Sequence, residues 1–170
     1  MTNYFEQVGA HADLIQKLLK KIPGFSGYFE RQNRRDADKI LRGTVASRFE
    51  ELWREVSQLQ REFVSQGELK SVDELEAAAI KLRTFTDMVR TASYGYSGFF
   101  DAVKINEEEL KRLYEYDLAL LDLVDEVRRA IDHVIASMGG EGLPASIRNL
   151  VNITRRCVDT FNRREEVLLS

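Results

Sequence analysis

The two histidines are the first candidates for a metal site or a general base. A carboxylate-bridged di-metal centre in a helical bundle requires a glutamate three residues before an inward histidine. Val8 stands at that spacing before His11, and Ala130 stands there before His133. Neither histidine therefore has the required carboxylate, and two isolated histidines give too few ligands for a zinc site. The sequence predicts no metal and no cofactor.

Cys157 and Asp117 are the other candidates for chemistry. Cys157 follows an apolar helical pattern, which is typical of a buried thiol rather than a nucleophile. Asp117 interrupts the apolar pattern of a long predicted helix, so we expect a buried acid there. Its partner would be a residue near Arg128, or a hydroxyl such as that of Tyr114 or Tyr116. The alternative is a raised pKa and a catalytic or sensing role.

Sequence motifs of the common enzyme classes are missing. There is no Gly-x-x-x-x-Gly-Lys phosphate loop, no Gly-x-Ser-x-Gly nucleophile elbow and no strand-turn-helix pattern for a dinucleotide. Enzymatic activity is therefore unsupported by the sequence, although it is not excluded.

An aromatic–glycine segment occurs twice. GFSGYF at 24–29 recurs as GYSGFF at 95–100, with four of six positions identical. Each copy follows an amphipathic helix and precedes a long one, so each is expected at a bend between helices. In an up-down bundle the two bends lie at the same end. The rings either close the end of the core or form a recognition surface for a partner segment or small ligand.

Three arginines follow the first copy, namely Arg31, Arg34 and Arg35. Arginines near a helix N-terminus oppose the helix dipole, so acidic partners are expected. The run at 107–109, which is Glu-Glu-Glu, is the predicted partner because it follows the second copy. The alternative is a site for an anion or an acidic partner beside the rings.

Helices are the only predicted regular elements. Apolar residues recur at intervals of three and four over long stretches, and no useful strand alternation is present. The predicted starts include Asn106 as an N-cap, Ser71 with Glu74 as a capping box, and Pro144 in the first turn of the last helix. The stretch from about 28 to 66 contains Gly43, where we expect a bend or break.

The predicted fold is all-α. We expect an up-down antiparallel bundle of about five helices, four long core helices plus one, in a single domain over residues 1–170. The repeated segment suggests a pseudo-repeat of two helical hairpins. A homodimer is expected if apolar positions on the second half of the 28–66 helix are exposed.

The segment IPGFSGY at 22–28 with the arginines after it, and YGYSGFFDAVK at 94–104, resemble an uncharacterised family of bacterial all-helical proteins. The resemblance implies a bacterial cytoplasmic protein and carries no catalytic or binding residue over to this chain.

Composition excludes several classes of function. The chain has 170 residues, one cysteine and a net charge of −3. A single cysteine fits a reducing cytosol, no run is long enough to cross a membrane, and an acidic chain is a poor binder of nucleic acid. Peripheral contact with anionic lipid is a weaker alternative.

We therefore expect a cytoplasmic, non-enzymatic module that binds a protein partner through its aromatic bundle end. The alternative is a small-molecule sensor or minor enzyme with a pocket near Asp117 and the aromatic loops. The candidate binding residues are Phe25, Tyr28, Phe29, Arg31, Arg34, Arg35, Tyr94, Tyr96, Phe99 and Phe100.

Overall fold

The computed structural model describes residues 4–92, 97–102 and 105–169, with side chains from residue 12 onward apart from 93–98. The described part of the chain forms five long helices and one short one. The long helices are α1 (Tyr4–Lys21), α2 (Arg34–Ser65), α3 (Leu69–Thr91), α5 (Glu107–Ala136) and α6 (Leu143–Leu169), and the short helix is α4 (Ser97–Phe100). The all-α prediction is confirmed.

Helix starts follow local chemistry in two of the three predicted cases. The side chain of Asn106 accepts a hydrogen bond from the Glu108 amide, as an N-cap should. Pro144 is the second residue of α6, where its missing amide proton costs no helical hydrogen bond. The capping box is wrong, because α3 already begins at Leu69 and buries Ser71 within its first turn.

Helix α2 runs through Gly43 without interruption, so the predicted break is absent. It also begins later than residue 28, because a single 3-10 turn at Arg31–Asn33 precedes it. Its inward positions are buried along the whole helix, from Ala37 to Phe63. Val64, at the end of α2, is a large apolar side chain that stays exposed.

Four helices form a closed ring around the core. Helix α2 packs on α3, α3 on α6, α6 on α5 and α5 on α2, while α1 lies against α5. The most extensive contacts are α2–α3 and α5–α6, and these pairs are joined by the short connections at 66–68 and 137–142. The two aromatic–glycine segments lie in the other connections, between α1 and α2 and between α3 and α5.

Aromatic rings join three helices of the ring. Phe85 of α3 meets Phe49 of α2 edge-on, with ring centres 4.6 Å apart, and meets Phe161 of α6 edge-on at 6.0 Å. All three rings are fully buried. Such edge-to-face pairs stabilise a core beyond the area that they bury, so this line of rings fixes how α2, α3 and α6 sit together.

Candidate functional site

The two aromatic–glycine connections meet at one end of the bundle. Tyr28 of the first stacks on Phe100 of the second, with ring centres 6.1 Å apart. Arg34 reaches across to donate a hydrogen bond to the Ala102 carbonyl at 2.7 Å. The predicted meeting of the two bends is therefore present for residues 97–102, while residues 93–96, including Tyr94 and Tyr96, lie outside the described residues.

Most of the described rings at this end belong to the core. Phe25, Tyr28 and Phe100 are buried, whereas Phe29 and Phe99 are half-buried. Phe25 and Tyr28 pack edge-on at 5.4 Å. The described rings thus close the end of the bundle, and the three buried ones have no surface left with which to contact a partner directly.

Gly27 is where the first connection needs glycine for two reasons. Its φ of +87° lies in the left-handed region, where a residue that carries a side chain is strained. A Cβ there would also lie 2.8 Å from the hydroxyl oxygen of Tyr114. That hydroxyl accepts a hydrogen bond from the Tyr28 amide at 2.7 Å, so the backbone must approach α5 this closely.

A buried ion network lies directly beneath the rings. It consists of Tyr28, Asp38, Arg42, Asp117 and Arg164. Arg164 Nε donates to Asp117 Oδ1 at 2.6 Å, and its Nη2 donates to Asp38 Oδ1 at 2.6 Å. Tyr28 Oη donates to Asp117 Oδ2 at 2.5 Å, and Arg42 Nε donates to Asp38 Oδ2 at 2.7 Å. Each aspartate oxygen thus accepts a hydrogen bond.

The buried ion network connects five parts of the chain. Asp38 and Arg42 come from α2, Asp117 from α5, Arg164 from α6 and Tyr28 from the first connection. Arg42 also donates to the carbonyls of Val89 and Arg90 at the end of α3, at 3.0 and 3.3 Å. Two aspartates and two arginines cancel in formal charge, which makes complete burial tolerable.

Burial shifts the pKa of two groups in this network, Asp117 and Tyr28. It raises the pKa of Asp117 to about 6, and the charge of Arg164 opposes the rise. Burial also raises the pKa of Tyr28 well above its ordinary value, and the Asp117 carboxylate adds to that effect. Tyr28 therefore stays a neutral donor. Because both oxygens of Asp117 are engaged within the protein, this carboxylate does not face a ligand site.

The predicted arginines separate into one buried and two exposed side chains. Arg34 is 6% exposed, and its Nε donates to the Tyr28 carbonyl at 2.8 Å. Burial, with the charge of Arg31, lowers the pKa of Arg34. The exposed Arg35 pairs with the Asp101 carboxylate at 2.5 Å, and Arg31 donates to the Asp101 carbonyl at 3.1 Å.

The predicted pairing of these arginines with the glutamates at 107–109 is therefore wrong as a description of their contacts. Their described partners lie earlier in the second connection, at Asp101 and Ala102. The reason is that the connection itself folds across the start of α2, so it offers its own carboxylate and carbonyls to the arginines. The glutamates begin α5, where the helix dipole favours them.

An open depression of about 610 Å³ lies beside these arginines. We call it the bundle-end depression, and it is lined by Glu30, Arg31, Gln32, Arg35 and Asp101. Its five lining residues are of polar or charged types and all of them are exposed. The depression is thus a surface feature, supported from below by the rings and the buried ion network.

The remaining candidates for chemistry have ordinary surroundings. Cys157 is fully buried, and burial raises the pKa of its thiol to about 12. His133 is exposed in a depression between α5 and α6, whereas the side chain of His11 is outside the described part. Among the described residues, no three histidine, cysteine, aspartate or glutamate side chains gather as metal ligands. No described helix is long and apolar enough to span a membrane.

Sequence reasoning missed Arg164 and the inward position of Arg42. A signal for both was present. Arg164 continues the inward spacing of Cys157 and Phe161 in α6, and Arg42 lies three residues before the inward Val45. A charged residue among the inward apolar positions of a helix indicates a buried charge, as Asp117 did in the sequence analysis. Each of α2, α5 and α6 carries such a residue.

Comparison with protein-family models, curated proteins and solved structures found no match. Functional conclusions for this chain therefore rest on the geometry of its described residues.

Proposed function

We propose that this protein is a non-enzymatic interaction module that binds an acidic segment of a protein partner at the bundle-end depression. The observation that carries the proposal is the depression itself, an open volume of about 610 Å³ whose lining residues include Arg31 and Arg35. Arginine is favoured at such sites because its planar group binds carboxylates in two-point geometry.

Local charge supports an acidic partner. Arg31, Arg34 and Arg35 carry three positive charges, while Glu30 and Asp101 carry two negative ones. The hydrogen bonds described for Arg34 end on backbone carbonyls, which leave its formal charge in place. These five residues together therefore carry a net charge of +1, in a protein whose total charge is −3.

The support beneath the depression also favours binding. Tyr28 and Arg34 are buried and hydrogen bonded, so the backbone that carries Arg31 and Arg35 is held in place before a partner arrives. Binding to a pre-organised surface loses less entropy than binding to a mobile one. A sensor or enzyme acting through Asp117 is less favoured, since that carboxylate is fully engaged. The single cysteine supports a cytoplasmic location within this proposal.

Site-specific photo-crosslinking in the producing cell tests the proposal. A photoreactive residue replaces Gln32 in the depression, and a matched variant carries it at Gln66, an exposed glutamine just beyond the other end of α2. We expect a defined protein to crosslink from position 32 and not from 66. Purified, that protein should bind directly, with affinity that falls as salt rises.

Charge reversal supplies the control. Arg35→Glu should lower the crosslinking yield and the direct affinity by about tenfold, because an acidic partner then meets a like charge. Arg155→Glu, an exposed arginine of α6, should leave both unchanged. Equal crosslinking from positions 32 and 66, or an Arg35→Glu variant that binds normally, would show that the depression is not the docking site.

A further inference from the structure

Tyr28 is the member of the buried ion network that lies nearest in sequence to the bundle-end depression, and three of its polar atoms are hydrogen bonded. Its hydroxyl donates to Asp117, and its amide donates to the Tyr114 hydroxyl. Its carbonyl accepts from Arg34 Nε at 2.8 Å. The backbone that enters the depression two residues later is thus anchored at three polar atoms of one residue.

Arg164 determines where Asp117 can hold Tyr28. Its two hydrogen bonds of 2.6 Å fix Asp117 against Asp38, and both aspartates are almost completely buried. In a medium without water, another arrangement would leave a charged group without its counter-charge, which is far more costly than a strained side chain. The network is therefore strongly restrained to the arrangement in which each aspartate oxygen accepts a hydrogen bond.

We propose that Asp117 and Arg164 are positioning residues for the bundle-end depression, which they hold in its binding shape through Tyr28 and Arg34 without lining it themselves. The path runs from α6 through Asp117 to Tyr28, and from the Tyr28 carbonyl to Arg34 at the start of α2. Arg34 then donates to the carbonyl of Ala102, the residue after Asp101, which lines the other side of the depression. This inference rests on the proposed function, but its first measurement needs no partner.

Hydrogen exchange measures the positioning effect directly. Tyr28→Phe keeps the stacked ring and removes the bond that the hydroxyl donates to Asp117, a charged group. It also removes the longer bond, 3.4 Å, that the hydroxyl accepts from Arg164 Nη2. We expect amides in residues 24–33 to exchange about tenfold faster, because the connection opens more often once these bonds are lost. Tyr116→Phe is the matched control, since Tyr116 is the residue before Asp117 in α5 and has no described bond to the network.

A variant in α6 tests whether Arg164 helps to hold the connection at residues 24–33. Arg164→Met should accelerate exchange in residues 24–33, even though residue 164 is 136 positions from Tyr28 in the sequence. Arg163→Met, at the exposed neighbouring position, should not. Leu150→Ala, which weakens the core away from the network, should accelerate exchange in α3 at least as much as in residues 24–33.

The outcomes separate the two proposals. If the amides of residues 24–33 exchange at the same rate in Tyr28→Phe as in the wild type and in Tyr116→Phe, the positioning role is wrong. This result decides the question even if Arg164→Met fails to fold. If exchange rises as expected and crosslinking from Gln32 falls with it, the positioning role holds for binding. If exchange rises while no partner crosslinks to the wild type, the positioning of the connection stands and the proposed function fails.

Discussion

Arg164 is fully buried, and its guanidinium bonds to two aspartates from two other helices. The cost of removing such a group differs from the benefit of having it. A hydrophobic core of the same volume could be equally stable, but loss of one partner alone leaves buried charge without its counter-charge. The effect of Arg164 on stability is therefore seen when the residue is replaced, and not from the number of salt bridges that it makes.

We expect Arg164→Met to lower the free energy of unfolding at neutral pH by about 3–5 kcal/mol, because the buried Asp117 carboxyl then loses the cation that opposes the rise of its pKa. It must either stay charged without that partner or take up a proton. Chemical denaturation measures this loss. The matched variant Arg163→Met, at an exposed position, should change the value by less than about 0.5 kcal/mol. Similar losses for the two variants would contradict the buried position of Arg164.

The pH dependence of stability follows from Asp117. Burial raises its pKa to about 6 in the folded protein, against an ordinary value of 3.8. The folded state therefore binds this proton more tightly than the unfolded state. The stabilising contribution is complete below pH of about 4 and is lost as pH rises to about 6.

We accordingly expect the free energy of unfolding of the wild type, minus that of Asp117→Asn, to fall by up to about 3 kcal/mol between about pH 4 and 6. Denaturant titrations at several pH values measure the difference, in which the other acids cancel. A difference that grows with pH would mean that the attraction of Arg164 outweighs burial.

At the scale of the elements, the connection between α1 and α2 behaves as part of the core. Gly24 and Gly27 both have positive φ, at +83° and +87°. They differ in space, because nothing lies within 4 Å of a Cβ at Gly24, whereas a Cβ at Gly27 would meet the Tyr114 hydroxyl. Alanine substitutions at the two positions therefore distinguish the cost of backbone strain, present at both, from the cost of steric overlap, present only at Gly27.

We expect Gly24→Ala to destabilise the protein by about 1–2 kcal/mol through its φ alone. Gly27→Ala should cost more, because it also pushes Tyr114 from the Tyr28 amide. Thermal or denaturant unfolding measures both values. Equal losses would mean that the connection moves away from α5 at little cost.

Prediction from the sequence succeeded for the helices and failed for the side chains that pair with Asp117 and with the arginines. Spacing of apolar residues predicts the long helices because helical periodicity is a local property. The break at Gly43 was wrong because packing of Leu41, Val45 and their neighbours against the ring outweighs about 1 kcal/mol of propensity. The partners of Asp117 and of the arginines depend on which elements meet, and a single sequence does not encode that locally.

At the scale of the whole molecule, the closed ring of α2, α3, α6 and α5 leaves little apolar surface unpaired. The inward side of α2 is buried within one copy, so the fold does not require a second. Several large apolar side chains, such as Leu69 and Ile80, are exposed. Polar chemistry at one end, rather than a shared apolar face, is therefore the feature that distinguishes this molecule from a plain bundle.

The order of the network residues along the chain has a consequence for synthesis. Tyr28, Asp38, Arg42 and Asp117 all leave the ribosome before Arg164. At about 5–20 residues per second, the nascent chain holds both aspartates for seconds with Arg42 as the only network cation. The aromatic end of the bundle thus matures last, when α6 emerges, although the segment that forms it is among the first to be translated.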